Sequence, residues 1–221
     1  MKIRYSKDRG YTDESWLKSR HSFSFAGYRD KNWHHFGPLR VINEDWVAPG
    51  KGFGMHPHQN MEIITVMLSG ELTHKDNLGN EYALKAGEVQ LMTAGTGIFH
   101  SEWNNSTETA HLLQIWIHPE QLNLIPSYRN FELSGDSTKL IAGEGALKIN
   151  SPVKLYRQEV EAGNPIVLGE EGIKNYIHFI EGDFEVAGEK TVGGDAVLLE
   201  NETVEISAQS KGEVLVIQIN N

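Results

Sequence analysis

No cysteine occurs in the 221 residues. Disulfide cross-links and thiolate catalysis are therefore excluded. Any bound metal must be held by imidazole and carboxylate, a donor set that suits iron, manganese, cobalt, nickel, copper or zinc. Basic side chains are in the minority: 20 lysines and arginines against 30 aspartates and glutamates leave a formal net charge of −10. Such a surface repels phosphate on average, which argues against nucleic acid as a partner. No apolar run is long enough to span a membrane. Met1-Lys2-Ile3-Arg4-Tyr5 lacks the apolar core of a signal peptide, so the expected location is cytoplasmic. Charged residues are only 23 % of the chain while glycine occurs 22 times, as in a turn-rich globular β protein rather than a disordered one. The length suits one large β domain or two small ones.

What is present is mostly β pattern. Residues 1–50 read as short elements: an edge strand over Lys2–Tyr5, one or two helical turns over Thr12–Ser19 with Thr12 as N-cap, and a strand over His21–Phe25. In that strand Phe23 and Phe25 share a face and pack as core. Leu39–Asn43, Met61–Leu68, Val89–Met92 and His111–His118 read as further strands, and Leu72–Lys75 with Glu81–Leu84 as a hairpin. Spacing this short leaves no room for crossover helices, so an antiparallel sandwich or barrel is expected. The polar, proline-containing stretch Gln121–Lys139 carries no periodicity and reads as a junction, dividing the chain into domains 1–135 and 136–221. The second half resembles a worn copy of the first. Thr65–Glu71 matches Ile177–Asp183, and Gly87–Met92 matches Gly194–Leu199. On those alignments His56 and His58 fall opposite Leu168 and Glu170, and His100 and Glu102 opposite Ser207 and Gln209, so the copy has no metal ligands.

The chemistry-bearing residues sit in two glycine-punctuated clusters. The first is Gly50-x5-His56-Pro57-His58-x3-Glu62; the second is Gly87-x5-Thr93-Ala94-Gly95-Thr96-Gly97-x2-His100-Ser101-Glu102. Residues two apart on a strand share a face, so His56 and His58 present paired imidazoles, as do His100 and Glu102 an imidazole and a carboxylate. Glu62 joins the first face if its strand runs without a bulge. Three neutral imidazoles and one carboxylate make a metal site with positions left for water, substrate or dioxygen. Glu62 and Glu102 compete for the carboxylate position and geometry from sequence does not choose; the other would orient a histidine by hydrogen bond. The remaining histidines, His21, His34, His35, His74, His111, His118 and His178, have no comparable setting and read as packing residues, with His34 and His35 alone as candidates for a pocket wall. Phe53, Met55 and Phe99 flank the ligand segments and are the expected apolar walls of a pocket.

These segments resemble the pirin family of the cupin superfamily over nearly the whole chain. The resemblance is carried by Gly52-Phe53-Gly54-Met55-His56-Pro57-His58 with Met61-Glu62 and by Met92–Glu102, supported by His21–Phe25, Leu39–Asn43 and Gln114–Ile117, which look like bacterial pirins described as quercetin 2,3-dioxygenases. It implies an all-β bicupin of two antiparallel jelly-roll barrels with metal only in the first. It implies His56, His58, His100 and Glu102 as ligands, choosing Glu102 over Glu62, and Fe(II) as the metal. It implies flavonol and dioxygen as substrates, with Glu102 as the base that accepts the flavonol proton, ring opening, and release of carbon monoxide with a depside. The alternative it implies is a metal-binding regulatory protein that contacts a transcription factor or metabolic enzyme without turnover.

Overall fold

The computed structural model describes residues 1–133, 137–143 and 146–220. Among them the only helical element is a 3-10 turn at Ser6–Asp8; the remaining regular structure is antiparallel β. The chain forms two units, one of residues 10–133 and one of residues 1–9 with the described part of 134–221. Residues 1–9 thus leave the domain 1–135 expected from sequence, because Lys2–Arg4 adds an edge strand to Ala196–Glu200 of the second unit. The expected boundary at 135 and 136 lies outside the described residues.

The first unit is a sandwich. Its seven-stranded sheet runs, in spatial order, Ser127–Glu132, Glu88–Thr93, Glu62–Ser69, Ala110–Ile117, Leu39–Val47, Leu17–His21 and Gly10–Asp13. Its four-stranded sheet runs Lys51–His58, Ile98–Asn104, Glu71–Asp76 and Glu81–Lys85. Val47, Met67 and Leu112 of the large sheet pack on Leu72 and Leu84 of the small one, all fully buried. Each such side chain contributes about 1.5–3 kcal/mol by leaving water. A second buried apolar cluster, Ile63, Met92, Ala94 and Ile98, packs the two sheets together elsewhere in the unit.

The second unit repeats the topology. Ala196–Glu200, Lys174–Glu181, Gly212–Ile219 and Val153–Val160 stand in the order of Glu88–Thr93, Glu62–Ser69, Ala110–Ile117 and Leu39–Val47. Ile166–Gly169, Thr203–Ala208, Asp183–Val186 and Glu189–Val192 likewise repeat the small sheet. Here Ile166, Leu168, Val204 and Ile206 join one apolar cluster. Hydrocarbon fills the place where the first unit carries imidazoles.

Three local expectations change. Thr12–Ser19 is not helical: Gly10–Asp13 and Leu17–His21 form a β-hairpin, since pairing with Leu39–Val47 outweighs a short helix that would have no partner. The strand expected over His21–Phe25 ends at His21, and Phe25 and Tyr28 close a tight turn with Ala26 at φ 46°. The junction stretch contributes Ser127–Glu132, an edge strand on Glu88–Thr93.

Candidate metal centre

The small sheet carries the histidines inward. His100 pairs with His56, and Ile98 with His58, but Glu102 pairs with Phe53. Two steps along one strand thus face three along the other, which is a β-bulge at Gly54-Met55. The bulge restores the inward face, so Phe53, His56 and His58 all line one cavity with His100 and Glu102. Gly52 is required beside it: a Cβ there would run into the Glu102 carbonyl and come within 2.6 Å of Trp103 Cα.

The three imidazoles converge. Donor atoms of His56, His58 and His100 all lie within 4.8 Å of one another, and Nε2 of His56 and Nε2 of His100 are 3.1 Å apart. Nδ1 of His56 lies 2.7 Å from the Gly54 carbonyl, which only accepts, so the proton sits on Nδ1 and the lone pair on Nε2. Burial, and then the facing imidazoles His100 and His56, lower the His58 pKa to about 4. Burial, followed by His56 and His74, lowers that of His100 to about 3. Both rings are therefore neutral at pH 7 and keep lone pairs for a metal. Three imidazole nitrogens gathered this closely could hold a divalent cation between them.

Glu102 is buried and held from three sides. Oε1 accepts from Gln90 Nε2 at 2.8 Å and from the Thr65 hydroxyl at 3.3 Å; Oε2 accepts from Gln114 Nε2 at 2.8 Å. The Tyr128 hydroxyl donates to Gln90 Oε1 at 3.0 Å and so fixes which way that amide points. Burial, then the nearby Glu102 carboxylate, raises the Tyr128 pKa, so its hydroxyl stays protonated. The Glu102 carboxylate groups within 4.8 Å with His100 and His74, not with His56 and His58.

Sequence expectations meet the structure unevenly. Phe53 lines the cavity, but Met55 and Phe99 do not: they are 55 % and 51 % exposed, because each neighbours an inward ligand and period-two alternation turns it outward. Glu62 starts a different strand, in the large sheet, and accepts from the Thr93 hydroxyl at 3.2 Å; it lies outside both donor groupings and the cavity lining. Phe23 is core, whereas Phe25 reaches the cavity. His34 and His35 are absent from its lining. His111 stacks on Trp46 at 4.5 Å and meets Glu44 at 3.1 Å, a packing role.

The reading from sequence missed the aromatic wall and the polar floor. Trp116 meets His58 edge-on at 4.8 Å and Phe25 at 5.5 Å, while Trp16 packs edge-on to Phe53 at 5.2 Å. Thr65, Gln90 and Gln114 are cross-strand neighbours in the large sheet. Their signal was available: each is a lone polar residue at the centre of an apolar β run. His74, expected as a packing residue, lies buried 3.4 Å from His100.

The fold is that of a two-domain cupin, and its first domain carries a histidine cluster that could hold a metal. The family model described as Pirin matches residues 2–117, and that described as the quercetinase C-terminal cupin domain matches residues 141–219. A protein of Escherichia coli K12 named quercetin 2,3-dioxygenase is 38 % identical, over 98 % of this chain and 97 % of its own. A pirin-like protein of Caulobacter vibrioides is 37 % identical over 94 % of each. The crystal structure of the bacterial pirin YhhW from Escherichia coli in complex with nickel(II) superposes with a TM-score of 0.94 at 37 % identity, covering 99 % of this chain and 98 % of that one. The chain belongs to the pirin family. The histidine cluster here and the nickel(II) in that relative support a divalent metal in this site.

Proposed function

We propose that this protein is a metal-dependent dioxygenase that opens the ring of flavonols, with His56, His58, His100 and Glu102 as metal ligands and Fe(II) as the working metal. The observation that supports it most is the joint placement of the imidazole cluster and the Glu102 carboxylate in one aromatic-walled cavity of about 640 Å³, a size suited to a flat aromatic ligand. When bound, the divalent metal lowers the pKa of a coordinated hydroxyl and supports redox chemistry with dioxygen.

The chain's own residues supply the rest. Trp16, Phe25, Phe53 and Trp116 wall the cavity and orient a planar ring system. Glu102 takes the proton of the flavonol 3-hydroxyl, and the amides of Gln90 and Gln114 stay on its carboxylate as that proton arrives. The overall reaction consumes one flavonol and one dioxygen and yields one depside and one carbon monoxide. Charge selects the substrate. The lining includes Glu14, Asp45 and Glu102 and, among the described residues, no lysine or arginine. Apart from the metal itself, no side-chain cation meets an anionic group, so a neutral phenol or enol is favoured over a ligand that carries a further carboxylate away from the metal.

The regulatory alternative draws on Met55, Phe99 and Leu78, exposed on the outer side of the same unit. Titrating metal-loaded protein with quercetin in the absence of oxygen separates the two readings. A red-shifted flavonol absorption that saturates at one ligand per chain supports the enzyme. No shift, with metal retained, supports regulation.

A further inference from the structure

His74 is buried beside the imidazole cluster, and both of its ring nitrogens are engaged. Nε2 lies 3.0 Å from Asp76 Oδ2, and Nδ1 lies 3.4 Å from Nδ1 of His100. Asp76 is itself anchored: Oδ1 accepts from the backbone N–H groups of Leu78 and Asn80 at 2.9 and 3.0 Å, and Oδ2 from Asn80 Nδ2 at 2.8 Å.

A carboxylate fed by N–H donors only accepts, so Nε2 of His74 carries the proton. An imidazole with its proton on Nε2 has its lone pair on Nδ1, and this is the arrangement assigned to His74. The nitrogen facing that lone pair, Nδ1 of His100, must be the donor. His100 is left with its lone pair on Nε2, the atom 3.1 Å from Nε2 of His56. Proton positions thus follow in one direction from the Asp76 turn to the cluster. The Tyr128 ring stacks on His74 at 4.1 Å and 15°, which holds the imidazole plane. The same tyrosine orients Gln90 over Glu102, so one residue braces both histidine and carboxylate.

We propose that Asp76 and His74 are positioning residues for the metal centre, their hydrogen-bond chain dictating that His100 offers Nε2 to the metal and strengthening it as a donor. The proposal rests on the reading of His100 as a metal ligand. His74, His100 and Glu102 also form a close donor group, but His74 serves as a support rather than a ligand there because Asp76 and His100 already occupy its nitrogens. Carboxylate–histidine–metal chains of this kind are a common support for metal ligands; here a second histidine lengthens the chain by one link.

Imidazole proton–nitrogen correlation spectra of the metal-free full chain test the chain directly. The expected tautomers are Nδ1–H at His100 and Nε2–H at His74; Nε2–H at His100 overturns the proposal. Cobalt(II) then serves as the probe metal, its affinity measured by competition with a chromophoric chelator. His74→Phe, which keeps a ring against Tyr128, and Asp76→Asn are each expected to lower the affinity roughly ten- to a hundredfold. The double variant falls no further than His74→Phe, because the two residues act as one chain. His74→Asn, whose carbonyl oxygen stands near the place of Nδ1, recovers part of the loss. Wild-type affinity in both single variants, or losses that add, contradict it. Failure of the unaltered protein to bind cobalt(II) overturns the metal site and the proposal with it, whereas an unexpected tautomer overturns the chain alone.

Discussion

Nε2 of His56 and Nε2 of His100 face each other across 3.1 Å, on strands held in register by backbone pairing. The sheet keeps these nitrogens together whether or not a cation joins them. Metal binding should therefore stabilise the folded state. At a hundredfold excess over Kd the gain is about 2.7 kcal/mol. That corresponds to a rise in Tm of about 5–10 °C for a chain of this size. Thermal melts with and without metal, reversed by chelator, measure it; an unchanged Tm contradicts a built site.

His58 ends its strand and is only part-buried, packed edge-on to Trp116. His58→Ala is expected to lose most bound metal and all flavonol turnover while circular dichroism stays that of a β protein. Metal content by elemental analysis decides. Full activity in this variant would rule out the ligand assignment.

Glu102 and Glu62 are both buried, but they stand in different surroundings. Glu102→Gln should retain part of the metal and slow turnover about a hundredfold or more, the usual worth of a positioned base. Glu62→Gln touches the Thr93 contact and should change stability more than rate. Steady-state kinetics on both variants checks this. Equal loss of rate in the two would leave the choice between them unsupported.

The cavity's acidic lining predicts a charge preference. A flavonol bearing an added sulfonate should bind at least tenfold more weakly than its neutral parent. Repulsion of about 2 kcal/mol is expected for two like charges about 7 Å apart near a protein surface. Asp45→Asn should narrow that gap. Equal affinity of the two ligands for the unaltered protein would contradict the preference.

Much of this was readable in the residues. The His-x-His and His-x-Glu pairs declared themselves because period-two geometry and glycine turns are local properties. The repeat was legible for the same reason, since turn glycines and apolar runs recur in step. What was not legible depended on contacts distant in sequence. Whether Thr12–Ser19 became helix or hairpin was settled by the strand Leu39–Val47 beside it. Met55 and Phe99 looked like pocket walls because they adjoin ligands; a bulge and strict alternation turned them outward. His74 looked like a packing residue because His100, through which it reaches the cluster, lies on a neighbouring strand 26 residues away. That Glu62 stands apart from the histidine cluster was not legible, because it follows from the chain turning after His58 and entering the other sheet with Glu62.

The most direct test is carbon monoxide release from quercetin by metal-free protein reloaded with Fe(II), beside a metal-free control. The account predicts one carbon monoxide for each flavonol bleached, only when metal is present. Bleaching without carbon monoxide, or carbon monoxide released equally by the metal-free control, would contradict it.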